Sequence, residues 1–257
     1  MLDEVEKISP AFYKVSEEFS GVPKEPGDDE KAFIDKLLQS NVKYDNKKAK
    51  DIILSVAKKT GLSPEMLSAS ALQEGMNLAI RKPDEVSEAY VKAKIGGDYP
   101  VDGFYNYGLD RFSEEFPKLV KKGYLPNDFD YKEYSAKNEK NQDVRTAAFR
   151  TNEDALMAKA ALIKDMADNV KNEAGKKGVK LDDSQLQYFT LANYNGGFGS
   201  VKAMFDEMKA AGKSVEDYIS GGSKVKYQVH KNVSDRMDKI KYLSEVFKKL
   251  QDADGSR

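Results

Sequence analysis

Leu191-Ala192-Asn193-Tyr194-Asn195-Gly196-Gly197-Phe198-Gly199-Ser200-Val201 runs from an apolar helix end, through a glycine turn, into a second helix expected at about Ser200. Glycines permit a sharp reversal and let backbone approach a ligand closely. The ring of Tyr194 and the amide of Asn195 offer a sugar a stacking face and hydrogen bonds. As a phosphate loop the glycines are weak evidence, because no Lys-Ser/Thr follows at the P-loop spacing and no strand pattern precedes them. Taken alone, the segment also fits a purely structural helix-turn-helix corner.

Outward from this corner the apolar spacing is helical. Ile52, Ile53, Val56 and Ala57 form one stripe. Leu156, Ala160, Ile163, Ala167 and Val170 form a second, and Val233, Met237, Ile240, Leu243, Phe247 and Leu250 a third. Ser63-Pro64-Glu65 reads as an N-cap, a first-position proline and a first-turn acid, predicting a helix from about Ser63 to Glu74. The fold class is therefore all-α, or α with a very small β element. Any strand is expected between Ile95 and Gly108, where turn formers crowd. Asn127 to Asp143, polar and without periodicity, reads as a long surface loop. The break Gly21-Val-Pro-Lys-Glu-Pro-Gly27 sets off an N-terminal helical extension over residues 1–45. Residues 46–250 then form the main domain and 251–257 a flexible tail.

Composition narrows the function classes. The chain has 257 residues, 40% hydrophobic and 33% charged, with a net charge of −1, which describes a folded globular chain with no basic excess for nucleic acid. No apolar run approaches the roughly 20 residues of a membrane span, and the start Met1-Leu2-Asp3-Glu4 lacks a signal-peptide pattern. With no cysteine and one histidine, His230, neither thiolate chemistry nor a two-histidine metal site is available. His230 is expected as a polar surface group near the start of the last helix. The pairs in Asp28-Asp29-Glu30 and Asp182-Asp183 read as helix N-terminal charges rather than calcium ligands.

The helix expected from Ser63 places Leu67, Ala71, Glu74 and Leu78 on one stripe, so Glu74 is expected to face inward. Apolar surroundings and the negative end of the helix dipole both disfavour its charged form. A carboxyl kept protonated near neutral pH can donate a proton to the leaving oxygen of a glycosidic bond. Taken alone, Glu74 also fits a helix-end acid paired with Arg81.

Together the two segments resemble the lysozyme-like superfamily of goose-type lysozymes and lytic transglycosylases. There a helix ends in a glutamate within Ala-x-x-x-x-Glu-Ser-x-x-Asn, and the stretch here is Ser70-Ala71-Leu72-Gln73-Glu74-Gly75-Met76-Asn77. A later family stretch, Ala-Tyr-Asn-Ala-Gly-x-Gly-x-Val, is similar to Asn193 through Val201. Between them Tyr107-Gly108-Leu109-Asp110-Arg111 resembles a Gly-Leu-Met-Gln turn that lines the cleft, with Arg111 where the glutamine stands. Tyr227 to Leu250 resembles the closing helix, so the likeness spans about residues 46–250.

The resemblance implies a lysozyme-like helical fold that cleaves the β-1,4 bond between N-acetylmuramic acid and N-acetylglucosamine in peptidoglycan. It implies that Glu74 is the acid, that Tyr194 hydrogen-bonds near it, and that Asn195, Gly196, Tyr107 and Asp110 line the saccharide site. Asp98 is the best-placed second carboxylate, for positioning water, with Asp102 and Asp110 as alternatives. No metal or cofactor is implied. The expected partner is the glycan strand, joined by other proteins of a virion or secretion apparatus, since a wall-degrading domain without an export signal fits delivery by a phage tail. The runner-up is a lysozyme-fold module that binds wall or builds the particle without turnover, motivated by Gly75 and Arg111.

Overall fold

A computed structural model describes residues 43–44, 47–71, 112–137, 143–221 and 226–255 of the chain. These are mostly helical, with two small antiparallel sheets, so the all-α reading with a minor β element holds. The extension expected over residues 1–45 lies outside the described residues except for its last strand residues, as do the acids at 28–30 and the turn-rich stretch 95–108. Among the described residues no helix is long and apolar enough to cross a membrane. The described chain forms two compact units, divided between Leu162 and Ile163.

In the unit before that division, β1 (Lys43–Tyr44) pairs with β2 (Lys47–Lys48), and α1 (Ala49–Thr60) follows directly. The predicted stripe is its core face: Ile52, Ile53, Val56 and Ala57 are all buried. Asp51 in the first turn and Lys58 and Lys59 in the last suit the helix dipole. Gly61 ends the helix in the left-handed region, φ 70°, and donates its N–H to the Ala57 carbonyl at 2.8 Å. Helix α2 (Pro64–Ala71) starts as its sequence predicts, with the Ser63 hydroxyl accepting from the Met66 N–H at 3.1 Å. Met66 and Leu67 are buried on it.

Helix α3 (Phe112–Lys121) closes on a Gly123 turn in which the Tyr124 N–H reaches the Leu119 carbonyl at 2.9 Å. The surface loop expected over 127–143 is instead a hairpin. Strand β3 (Tyr131–Lys137) pairs antiparallel with β4 (Asp143–Phe149), in register from Tyr131 opposite Phe149 to Lys137 opposite Asp143. Lys132 and Glu133 are exposed, so the stretch carries little apolar alternation to announce a strand. Its anchor is aromatic and sits at one end. Phe112, itself fully buried, meets Tyr131 edge-on at 4.9 Å and Phe149 at 5.4 Å, fixing the hairpin base to α3. Helix α4 (Asn152–Lys177) begins beyond β4, where the Thr151 hydroxyl accepts from the Asp154 N–H at 3.1 Å.

The unit after the division holds the rest of α4, then α5 (Asp183–Gly196), α6 (Phe198–Ala210), α7 (Val215–Gly221) and α8 (Tyr227–Gly255). Asp182 and Gln185 build a reciprocal capping box, the helix-start role expected of the Asp182-Asp183 pair. Helix α5 is buried nearly all round. Phe189 stacks on Phe205 of α6 at 4.5 Å between ring centres, and α5 also packs on α8. Val233, Met237, Ile240 and Leu243 form the buried stripe of α8, which continues to Gly255, beyond the helix end expected at Leu250.

Candidate functional site

The corner between α5 and α6 is where the sequence motif becomes geometry. From Leu186 to Asn193 the helix is buried, and it emerges at Tyr194 and Asn195, both half-buried, before the exposed Gly196 and Gly197. Gly197 has φ 73° and ψ 167°, a backbone region that only glycine enters cheaply. Its N–H closes α5 on the Asn193 carbonyl at 2.7 Å, and its own carbonyl accepts the Ser200 N–H at 3.0 Å to open α6. Helix α6 therefore begins at Phe198, two residues earlier than the sequence indicated.

Gly196 is required for a different reason. A Cβ there would come within 2.7 Å of both the Ser200 hydroxyl and a Val229 methyl, so α8 approaches the corner as closely as a bare backbone allows. The Ser200 hydroxyl donates to the Gly196 carbonyl at 2.6 Å. The Asn195 amide nitrogen donates back to the Leu191 carbonyl at 2.9 Å, and the amide's oxygen and second N–H are the groups it can offer a ligand. Asn193 is buried and donates to the Met166 carbonyl of α4 at 3.4 Å. Tyr194, Asn195 and Gly196 thus stand together at the corner between α5 and α6.

Behind the corner lies a contact missed in the sequence. Tyr188, fully buried, shares a hydrogen bond of 2.5 Å with Nδ1 of His230. His230 is half-buried rather than a surface group, because Tyr188 and the packing of α8 on α5 draw its ring inward. Burial pushes the Tyr188 hydroxyl up and holds the His230 imidazole below its ordinary range. No local signal announced it, since the two partners stand 42 residues apart.

Two glutamates are buried among the described residues of the other unit. Glu153, in the first turn of α4, accepts hydrogen bonds from Lys47, from Ser55 at 2.6 Å and from Lys59 at 2.6 Å. Burial alone would raise its carboxyl, but these three donors outweigh it and bring the pKa to about 2. Glu65, in the first turn of α2, is 3% exposed, and burial pushes its carboxyl up against weaker opposition from its own backbone N–H and Ser63. The sequence marked Glu65 only as a first-turn charge. Its neighbours Met66 and Leu67 on the helix, both apolar, were the signal that this turn is covered on every side.

Glu74, Gly75, Asp98, Asp102, Tyr107, Asp110 and Arg111 lie outside the described residues. Helix α2 is described as far as Ala71. Among the described residues no group of three or more His, Cys, Asp and Glu side chains is arranged to hold a metal ion. Comparison with protein-family models, curated proteins and solved structures finds no match to this chain.

Proposed function

We propose that this chain is a muramidase that cleaves the β-1,4 bond between N-acetylmuramic acid and N-acetylglucosamine in peptidoglycan, with Glu74 as general acid. The observation that carries the reading is the α5–α6 corner. There a buried helix delivers Tyr194 and Asn195 to a half-exposed position, and Gly196 and Gly197 are demanded by close packing and by a positive φ. A phenol, an amide and an approachable backbone on one fixed corner suit a pyranose ring with its N-acetyl and hydroxyl groups. The resemblance of the Glu74 and Asn193–Val201 stretches to goose-type lysozymes and lytic transglycosylases supplies the acid and the substrate.

In this reading Glu74 protonates the leaving oxygen while positive charge develops at the anomeric carbon. The muramic acid's own 6-hydroxyl then attacks, returning its proton to the Glu74 carboxylate, and an anhydro sugar is released; or a water held by Asp98 attacks, giving its proton to that carboxylate, and a reducing end is released. Tyr107 and Asp110 line the saccharide path, and the domain is carried to the wall by a phage tail or similar assembly. Gly75 and Arg111, where the family has serine and glutamine, favour the competing reading of a lysozyme-fold module without turnover.

Digestion of purified cell wall by the intact protein and by Glu74→Gln tests the proposal. Solubilisation by the intact protein, reduced at least about a hundredfold in the variant, is expected, and mass spectrometry of the fragments separates anhydro-muramyl from reducing ends. Equal activity of the two proteins sinks Glu74 as the acid, and absence of lysis from the intact protein across pH supports the module without turnover.

A further inference from the structure

His230 is the chain's one histidine, and its ring belongs to a line of polar groups drawn from four helices. From α5 the fully buried Tyr188 presents its hydroxyl to Nδ1 at 2.5 Å, with the two rings tilted at 5.9 Å between centres. Beyond Tyr188 stands Tyr218 of α7, close enough for its charge to bear on the Tyr188 hydroxyl, and Tyr218 donates to Glu207 of α6 at 2.5 Å. On α8 itself the neighbouring charges are Lys226, whose carbonyl accepts the His230 N–H, and Lys231. Among the described residues no carboxylate bonds the ring, and its hydrogen-bond partner is Tyr188.

Burial keeps the Tyr188 phenol protonated, so it donates, and Nδ1 accepts as the unprotonated nitrogen of a neutral ring. A proton added at Nδ1 removes that acceptor. The new N–H and the phenol O–H then face each other, and a positive charge stands half-buried with no carboxylate bonded to it among the described residues. The effect reaches the glycine corner through one residue. Val229, immediately before His230, is the α8 side chain whose methyl would lie 2.7 Å from a Cβ on Gly196, so the seat of the first turn of α8 sets how closely the end of α5 is covered.

We propose that the Tyr188–His230 hydrogen bond is a pH-operated latch: neutral His230 holds the start of α8 on α5 with Val229 against Gly196, and protonated His230 releases that end of α8 from the glycine corner. The latch goes beyond the muramidase reading and does not depend on it. Because burial holds the imidazole below its ordinary 6.5, the latch stays closed at neutral pH and opens in mild acid. The stability it contributes is complete above pH 6.5 and is lost as pH falls from there toward the folded-state value.

NMR of the full, isotope-labelled chain tests this through a titration from about pH 8 to about pH 4.5, above the range in which most carboxylates titrate. One histidine gives one set of ring signals, with a midpoint expected below 6.5. The backbone amide signals of Gly196 and Gly197 are expected to shift with that same midpoint. In His230→Gln, whose amide oxygen can still accept from Tyr188, both glycine signals are expected to keep their neutral-pH positions throughout. In Tyr188→Phe the latch is open at every pH, so the glycine signals are expected near their acid positions already at neutral pH, and the ring midpoint should rise toward 6.5. Glycine signals that stay still while the wild-type ring titrates overturn the latch. A shift that persists with unchanged midpoint in His230→Gln overturns it too, as do neutral wild-type glycine positions in Tyr188→Phe, which would reduce the coupling to the bare charge of the ring. The wild-type co-titration decides the matter by itself if either variant fails to fold.

Discussion

Glu65 and Glu153 occupy equivalent places in two different parts of the same unit, and their carboxyls behave oppositely. Each is the second residue of its helix, after Pro64 in α2 and after Asn152 in α4, and they are 3% and 8% exposed. The helix dipole favours a negative charge at both. Around Glu153, Lys47 and Lys59 reach in from β2 and α1 with Ser55, and the carboxyl titrates at about 2. Around Glu65 the opposing hydrogen bonds among the described residues come from its own N–H and Ser63, and burial wins. The difference shows that donors recruited from other elements decide the outcome, and that helix position does not. It also sets the condition the proposed acid must meet. An acid of the kind proposed stays protonated only where no cation closes on it.

The largest effect expected from this contrast is in Glu153→Gln. Hydrogen bonds to a buried charge contribute about 1.5–3 kcal/mol, and the amide keeps the shape of the side chain while losing the charge that Lys47 and Lys59 answer. Denaturant unfolding at pH 7 should show a loss toward the middle of that range, because both lysine side chains are about half exposed and recover hydration when released. The folded-state pKa lies below the unfolded value of 4.5, so the carboxylate's contribution is complete above pH 4.5 and is lost as pH falls toward about 2. Wild type and variant should converge over that interval. A gap of unchanged size at pH 2 would mean that packing, not charge, ties α4 to α1.

Where the signal was local, the sequence was readable. The Ser63-Pro64 start of α2, the Asp182 start of α5 and the apolar stripes of α1 and α8 depend on neighbours within one or two turns, and each is found where the spacing puts it. The Tyr194–Gly197 corner was legible for the same reason, although not the grounds on which each glycine is needed. The hairpin β3–β4 was lost because its pairing joins residues 18 apart at Tyr131 and Phe149, and its anchor is Phe112, on another element. His230 was misplaced because its partner, Tyr188, is 42 residues away. Glu65 and Glu153 look alike locally, and only the three-dimensional positions of Lys47 and Lys59 distinguish them.

A smaller effect, of opposite sign, is expected from Glu65→Gln. Its folded-state pKa is raised, so the protonated form's contribution is present below pH 4.5 and is lost as pH rises through the folded value. At pH 7 the unfolded chain ionises this carboxyl freely while burial in the folded state opposes the charge, a cost to the wild type that the neutral amide removes while retaining a hydrogen-bonding group for Ser63. Thermal melts should place the variant level with wild type at pH 4 and ahead of it by up to about 1 kcal/mol at pH 7. A variant that is less stable at pH 7 would mean that Glu65 is ionised and well paired, and the contrast with Glu153 would collapse.

The smallest effect sharpens the cause of that contrast. Lys59→Ala removes one of the two ammonium groups at Glu153 but leaves Lys47 and Ser55 in place. Because Lys59 is 55% exposed, its ion pair is screened by solvent, and the expected stability loss is about 0.2–1 kcal/mol. The more sensitive readout is the Glu153 carboxyl itself, followed by carbon NMR through an acid titration. With one donor gone, burial meets less opposition, so the titration midpoint should rise from about 2 toward the ordinary 4.5. A midpoint that stays at about 2 would assign the lowering to Lys47 and Ser55 alone, and would show that cations reaching from β2, not α1, separate this carboxyl from Glu65.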